Sequence, residues 1–221
     1  MSLESSVNGP TYRRAVFIDR DGVINGMFFN PEFGTVDSPA NPDQFTLNPG
    51  VGEAIAKLNL AGMLVIVVSN QPGIAKGKFT SDLLTAMQKK MIEELGKFGG
   101  SLDAIYNCLH HPDAVLEDYR VTCACRKPEP GLLLQAAQEW NIDLAHSYTV
   151  GDGVTDVIAG RKAGTLTLFV NSRKCYHCDS LAEHGAWPNY VVSDLSEAVT
   201  VIEKLEAGDQ ESVQKYVLKC A

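Results

Sequence analysis

The sequence has no apolar run long enough to cross a membrane. A membrane helix needs about 18 or more consecutive apolar residues, and the longest candidate, residues 58–69, is too short and contains Asn59 and Gly62. Residues 1–10 are polar and combine no basic start with an apolar stretch, so no secretory signal is visible. We therefore expect a protein of the cytoplasm that does not bind membranes.

Positive charge is also scarce. The 221 residues include 19 Lys and Arg against 27 Asp and Glu, which gives a formal net charge of −8. Such a chain is poorly suited to nucleic acids, because their phosphates are bound by basic side chains that displace counterions. No nucleic-acid partner is expected, and a DNA 3′-phosphatase is disfavoured. Small anions remain suitable ligands, since a metal ion or a few cations act locally.

Repeats and low-complexity segments are absent, and 45% of the residues are hydrophobic, as in an ordinary globular protein. The length suits a single domain with one substantial core. We expect a flexible N-terminus at residues 1–11, one domain over residues 12–205 and a peripheral C-terminal tail at residues 206–221.

The sequence does contain a repeated order of short apolar runs and amphipathic stretches. Continuous apolar runs predict strands at residues 15–18, 64–68, 104–107, 148–150 and 166–170, with a further short run at 191–192. Helical spacing predicts helices at residues 52–61, 81–98 (capped by Ser81), 130–140 and 156–163. This alternation predicts a three-layer, Rossmann-like α/β fold, with a parallel sheet covered by helices on both faces.

Polar clusters follow three of the predicted strands at the point where each strand ends. Asp19 and Asp21 follow the first strand, Ser69 and Asn70 the second, and Asp152 the strand at 148–150. Ligands of parallel sheets bind beyond the carboxyl ends of the strands, so these side chains should lie close together. Clustered carboxylates repel one another and need a cation, and hard oxygen ligands suit Mg²⁺.

A phosphoryl group fits beside such a metal. Ser69, Asn70 and the cation of Lys127 can hold its oxygens, and a carboxylate can attack phosphorus to form an aspartyl-phosphate. The metal and the lysine would neutralise the charge that develops on the transferring group. Each motif alone is often only a turn or a surface residue. Their joint placement at strand ends favours phosphoryl transfer.

Four motifs, in family order over residues 14–171, resemble those of haloacid-dehalogenase (HAD) phosphatases. They are Val16-Phe17-Ile18-Asp19-Arg20-Asp21-Gly22-Val23, Ser69-Asn70-Gln71, Lys127-Pro128, and Gly151-Asp152 with Asp156. The resemblance implies that Asp19 is the nucleophile and that Asp21 acts as acid and then as base. The dehalogenases that name the family lack this second aspartate. Asp156 would orient Lys127 or metal-bound water.

The same resemblance implies the ligands of the metal and of the substrate. Mg²⁺ would be bound by Asp19, by the backbone carbonyl of Asp21 and by Asp152. Ser69 and Lys127 would hold the phosphate.

Two long segments interrupt the alternation, and one of them carries a possible second metal site. Cys108 and His110, followed by Cys123 and Cys125, supply four ligands of the type that zinc binds tetrahedrally, although the spacing within each pair is tighter than in zinc fingers. A long loop without a core is stabilised by such a metal. The alternative is a set of unrelated thiols and histidines in a flexible loop.

This loop, residues 108–125, narrows the resemblance to D-glycero-D-manno-heptose-1,7-bisphosphate 7-phosphatases and the related histidinol-phosphate phosphatases. The matching segments are Cys108-Leu109-His110-His111-Pro112 and Cys123-Ala124-Cys125-Arg126-Lys127-Pro128. Both groups have minimal caps, in which a zinc-stapled loop replaces a lid domain. In the heptose enzymes a basic residue near the second motif reads the distal phosphate, and Lys76 occupies that place, with Arg126 as the other candidate.

Two features depart from the heptose pattern. Gly153 follows Asp152 where the heptose phosphatases usually carry a basic residue that contacts phosphate, and the segment at residues 25–50 is longer than in compact members. The alternatives are therefore a histidinol-phosphate phosphatase, a broad sugar phosphatase, or a non-catalytic, zinc-stabilised protein that binds sugar phosphates. Intact Asp19, Asp21 and Asp152 argue against the last.

The remaining expectations concern assembly and the other thiols. We expect a monomer or small homo-oligomer that acts on a small phosphorylated sugar. Cys175 and Cys178 form an isolated C-x-x-C pair that favours packed or surface thiols over a metal site.

Overall fold

The computed structural model describes residues 12–32, 34–170 and 176–217, and at residues 176–178 only the backbone. The expected flexible N-terminus, the thiols of Cys175 and Cys178, and Cys220 lie outside the described residues. No helix in the described ranges is long and apolar enough to cross a membrane.

A six-stranded parallel sheet forms the centre of the fold. Its strands run in the order β5-β4-β1-β6-β7-β8. Their bounds are β1 (Ala15–Ile18), β4 (Leu64–Asn70), β5 (Ala104–Cys108), β6 (Tyr148–Gly151), β7 (Leu166–Val170) and β8 (Tyr190–Val192). A separate antiparallel hairpin pairs β2 (Phe28–Asn30) with β3 (Thr35–Asp37). The predicted parallel sheet is confirmed.

Seven helices accompany the strands in the described residues. They are α1 (Val51–Leu60), α2 (Ser81–Gly96), α3 (Gly131–Trp140), α4 (Val154–Ala163), α5 (Tyr176–Glu183), α6 (Leu195–Glu206) and α7 (Gln210–Val213). Short 3₁₀ turns lie at Pro42–Gln44, Glu117–Tyr119, Leu144–His146 and Gln214–Tyr216.

Side-chain alternation divides the core into two layers, one on each face of the sheet. On β1, Val16 and Ile18 pack in a cluster with buried residues of α1, α2 and α6. Ala15 and Phe17 point the other way, into a cluster with α3 and α4. All four are buried, because a parallel strand covered on both faces must be apolar on both. The three-layer α/β prediction is therefore confirmed.

Two local details differ from expectation. The side chain of Thr80 accepts a hydrogen bond from the Leu83 N–H and caps α2, so Ser81 is the first helical residue and not the cap. The long segment after β1 contains the β2–β3 hairpin, which the sequence pattern did not predict.

The chain after α6 continues into helical turns, and Val213 there is buried.

Candidate active site

Asp19 is the first residue after β1 and lies at the carboxyl edge of the sheet. Its N–H donates to the Val150 carbonyl at 2.9 Å. Its carboxylate accepts from Lys127 Nζ at 2.9 Å. The same ammonium contacts Asp156 Oδ1 at 2.5 Å and donates to the Val68 carbonyl at 2.8 Å. The predicted nucleophile and the predicted cation are thus in direct contact.

Burial and neighbouring charges set the ionisation of this pair. Burial raises the pKa of Asp19 to about 6; Lys127 opposes the rise, and the charges of Asp156 and Asp21 add to it. Burial alone would lower the pKa of Lys127, but Asp156 and Asp19 outweigh it and hold that pKa above its usual value. The lysine therefore stays charged and compensates two carboxylates at the bottom of the site, where its own side chain is buried.

Three carboxylates form what we call the carboxylate cluster: Asp19, Asp152 and Asp156. One oxygen of each lies within 4.8 Å of those of the other two. Asp152 packs directly on Gly22, where a Cβ would be 2.1 Å from Asp152 Oδ2 and where φ is +88°. Only glycine fits that position. The oxygen ligands and their spacing suit a hard cation such as Mg²⁺.

The predicted acid and base, Asp21, is 10% exposed and held by three donors. Its Oδ1 accepts from Arg20 at 2.8 Å and from Asn25 at 3.0 Å. Its Oδ2 accepts from Gln71 at 2.7 Å. Arg20 is fully buried. The sequence motifs contain Arg20 and Gln71, but motif spacing did not reveal that both bind the Asp21 carboxylate.

Asn70 and Lys127 are joined through the main chain. The Asn70 amide accepts from the Lys127 N–H and donates to the Lys127 carbonyl, both at 3.0 Å. Its side chain therefore fixes the segment that carries the lysine, while its predicted contact with phosphate stays a prediction. Ser69 is buried, and its Oγ accepts from Gln71 at 2.9 Å.

A cleft opens above these groups. It is lined by Asp19, Asp21, Met27, Ser38, Ser69, Asn70, Lys127, Asp152, Gly153, Thr155 and Asp156. A second, smaller cleft shares Ser38 and Asn70 with it and is lined by Lys76 and Lys78 as well. Arg126 lies apart from these linings, and its guanidinium donates to the His110 carbonyl at 3.1 Å. The structure therefore brings Lys76 next to the site of Asp19.

Cys108, His110, Cys123 and Cys125 form the thiol cluster. Cys125 Sγ lies 3.1 Å from Cys108 Sγ and 3.2 Å from Cys123 Sγ, and Cys108 Sγ lies 3.6 Å from Cys123 Sγ. His110 Nδ1 is 3.4 Å from Cys125 Sγ and 3.8 Å from Cys108 Sγ. A tetrahedral zinc with Zn–S bonds of about 2.3 Å would separate its sulfur ligands by about 3.8 Å. The spacing fits a zinc ion with a slight expansion.

The thiols strongly influence one another. Burial raises the pKa of Cys108 and of Cys125. Burial acts in the same direction on Cys123, but hydrogen bonds from Cys125, Cys108 and His110 outweigh it and lower its pKa to about 7. His111 lies outside the cluster, and its Nδ1 accepts from the Asp113 N–H at 3.0 Å.

Sequence similarity to known proteins identifies the family of this chain. The phosphatase from Yersinia pestis named D-glycero-beta-D-manno-heptose-1,7-bisphosphate 7-phosphatase is 37% identical over 191 residues, 86% of this chain and 95% of its own. The enzyme of that name from Escherichia coli K12 is 38% identical over 192 residues, again 86% of this chain and 95% of its own. The chain belongs to this family of HAD-like phosphatases. Residues 124–198 also match the family model described as HAD-hydrolase-like.

Solved structures support the assignment. The D,D-heptose 1,7-bisphosphate phosphatase from B. bronchiseptica, complexed with magnesium and phosphate, has a TM-score of 0.69 and 33% identity, covering 88% of this chain and 99% of that one. A HAD-like phosphatase from Mesorhizobium loti has a TM-score of 0.72 and 30% identity, covering 89% and 88%. The predicted HAD-type fold and phosphatase class are confirmed.

Proposed function

We propose that this phosphatase removes the 7-phosphate of D-glycero-D-manno-heptose 1,7-bisphosphate through an aspartyl-phosphate on Asp19. The observation that carries the proposal is the contact of Asp19 with Lys127 inside a cleft that also holds Asp152 and Asp21. The names of the relatives support this choice of substrate, and the second cleft is where we expect the distal phosphate to bind.

In the first step, an oxygen of Asp19 attacks phosphorus and a new O–P bond forms. The bond from phosphorus to the sugar oxygen breaks, its electron pair stays on that oxygen, and the Asp21 carboxyl supplies a proton. Lys127 and Ser69 hold the oxygens of the transferring group. Burial makes this charge compensation stronger than it would be in water.

In the second step, Asp21 accepts a proton from a water molecule, whose oxygen attacks the phosphorus. The bond between phosphorus and Asp19 breaks, and inorganic phosphate leaves. Asp156 holds Lys127 in place throughout, through its 2.5 Å contact with Nζ. The cation thus remains beside Asp19 while the carboxylate gains and loses the phosphoryl group.

The chain's residues suit two metals. Asp19, Asp152 and the backbone carbonyl of Asp21 would hold Mg²⁺, which supplies charge neutralisation of the phosphoryl oxygens when bound. The thiol cluster would hold Zn²⁺ in a structural role, since four protein ligands leave no open position.

The second phosphate of the substrate needs its own cations. Lys76 and Lys78 line the cleft that adjoins the Asp19 site. Burial, and then the charges of Lys76 and Arg126, lower the pKa of His111, so each of these two cations lies within electrostatic range of that imidazole. Asp37 lines the same cleft and pairs with Lys78, so Lys76 is the cation there that we expect to favour a bisphosphate over a substrate whose second group is an amine.

The test is Mg²⁺-dependent phosphate release, comparing heptose 1,7-bisphosphate with histidinol phosphate and common sugar monophosphates. We expect at least a hundredfold preference in kcat/KM for the bisphosphate, about 2.7 kcal/mol of transition-state binding. Lys76→Gln should remove at least tenfold of that preference. Lys57→Gln, on the exposed side of α1, is the control and should remove none.

Three outcomes separate the alternatives. Equal, slow turnover of all substrates would keep the phosphatase and withdraw the heptose substrate. A preference for histidinol phosphate would assign the related activity instead. No turnover of any phosphomonoester would leave a protein that only binds sugar phosphates.

A further inference from the structure

Gln71 lies between two residues that the proposed function uses for different purposes. Its side chain is only 2% exposed. Its amide nitrogen is 2.7 Å from Asp21 Oδ2 and 2.9 Å from Ser69 Oγ, so the NH₂ group donates one hydrogen to each. Its backbone N–H donates to the Cys108 carbonyl at 2.8 Å, which fixes the residue on the end of β5.

The first consequence concerns Ser69. A hydroxyl has one proton to donate and two lone pairs that accept. Because Ser69 Oγ accepts from Gln71, its own proton remains available for a different partner. Ser69 also lines the cleft above Asp19. The amide of Gln71 thereby orients the hydroxyl so that it can donate to a phosphoryl oxygen.

The second consequence concerns the rotation of the Asp21 carboxyl group. Arg20 contacts both oxygens from its buried position, at 2.8 Å to Oδ1 and 3.0 Å to Oδ2. Asn25 adds a donor only to Oδ1. Gln71 supplies the shortest bond to Oδ2. Without Gln71, Oδ2 would keep only the longer bond from Arg20, while Oδ1 would keep its donors from both Arg20 and Asn25, so the carboxyl group would be held less firmly.

We propose that Gln71 is a positioning residue for acid catalysis: it holds the carboxyl of Asp21 and the hydroxyl of Ser69 in one fixed arrangement around the transferring phosphoryl group. The inference rests on the proposed function and deepens it. It assigns to the residue after Asn70 a role in proton delivery that neither the motif nor the comparisons give to it.

The leaving group provides a readout that a purely structural role would not move. kcat/KM covers every step up to departure of the leaving oxygen. A sugar alkoxide needs a proton to leave, whereas p-nitrophenolate is stable without one. Loss of a correctly placed acid therefore slows a sugar phosphate much more than p-nitrophenyl phosphate.

The experiment compares Gln71→Met with the unmodified protein on a heptose or hexose phosphate and on p-nitrophenyl phosphate, with Mg²⁺ present. Methionine keeps the length of the side chain and removes both N–H donors. We expect kcat/KM for the sugar phosphate to fall about a hundredfold, and at least ten times more than for p-nitrophenyl phosphate. Equal losses on both substrates, or no loss, would overturn the proposal.

Three further variants guard this result. Asp21→Asn should show the same leaving-group pattern more strongly. Gln71→Glu preserves the shape and replaces the N–H donors by oxygens, so it should reproduce the pattern even where Gln71→Met does not fold. Gln135→Met, on the exposed side of α3, should change neither ratio. Absence of turnover in the unmodified protein would overturn the proposed function, and this inference with it.

Discussion

The carboxylate cluster and the thiol cluster lie at strand ends of the same sheet, yet they balance their charges in different ways. In the first, Lys127 supplies a buried positive charge that contacts two of the three carboxylates. In the second, no lysine or arginine within the described ranges donates to a sulfur atom. The carboxylate cluster is therefore compatible with folding before a metal binds, whereas we expect the thiol cluster to depend on a bound metal for stability.

The two clusters also differ in how open they are to solvent and substrate. The carboxylate cluster lines an open cleft, and its ligand set leaves room for water and for phosphate oxygens. The thiol cluster offers four protein ligands at tetrahedral spacing, and Cys108 within it is fully buried. One arrangement suits a metal that takes part in a reaction, and the other suits a metal that holds a loop.

The largest effect on turnover is expected when Asp19, the proposed nucleophile in the carboxylate cluster, is replaced. Asp19→Asn should lower turnover by a factor on the order of 10⁴, because the amide cannot form the phosphoryl bond. The melting temperature should change little. Phosphate release and thermal unfolding measure the two effects. Asp113→Asn, an exposed aspartate in the zinc loop, is the control and should keep full turnover. Turnover of Asp19→Asn at the normal rate would refute the mechanism.

In the thiol cluster, substitution should mainly lower stability. Cys123→Ser, or removal of zinc by a strong chelator, should lower the free energy of unfolding by an amount on the order of 5 kcal/mol, since metal binding supplies folding free energy to the loop. Removal of Mg²⁺ alone should cost far less. Val121→Ser, in the same loop but exposed, serves as the control. A melting temperature indifferent to both zinc and Cys123 would argue against a structural metal.

Substitution of Lys127 tests this comparison most directly. Lys127 is the buried positive charge of the carboxylate cluster, and the described residues place no such cation beside the thiol cluster. Lys127→Met should cost about 3 kcal/mol of stability in the metal-free protein, since two buried carboxylates lose their counter-charge. Added Mg²⁺ should restore part of the loss by supplying a cation. Lys162→Met removes an exposed pair with Glu129 and should cost less than about 1 kcal/mol. Equal losses in the two variants would mean that Lys127 does not stabilise the cluster.

Much of this architecture could be predicted from the sequence because strands buried on both faces are continuous apolar runs. The bounds of β1 and β7 agree with the prediction to the residue. The convergence of Asp19, Ser69 and Asp152 on one edge followed from the rule that parallel strands end together, whereas Lys127 reaches that edge from the segment before α3. The hairpin of β2 and β3 did not follow, since its strands are only three residues long.

The hydrogen-bond partners of Asp21 could not be predicted from the sequence, for a different reason. Arg20 and Gln71 are 51 residues apart, and their meeting on one carboxylate depends on the rotamers that packing selects. The Thr80 cap was missed because serine is, by type, a better capping residue than threonine, and Ser81 lies directly beside it. The motifs therefore predict which residues lie together at a site, but the hydrogen bonds among those residues can be identified only from the three-dimensional structure.

Cys108 connects the thiol cluster to Gln71, which in turn contacts Asp21 and Ser69. Its Sγ belongs to the thiol cluster, and its carbonyl accepts a hydrogen bond from the N–H of Gln71, two residues after Ser69. If the thiol cluster binds zinc, as we propose, loss of the metal would disturb the backbone contact of Gln71, and we expect the specific activity of a preparation to follow its zinc content even at saturating Mg²⁺. Under that proposal, kinetic constants of different preparations would be comparable only when their zinc contents are the same.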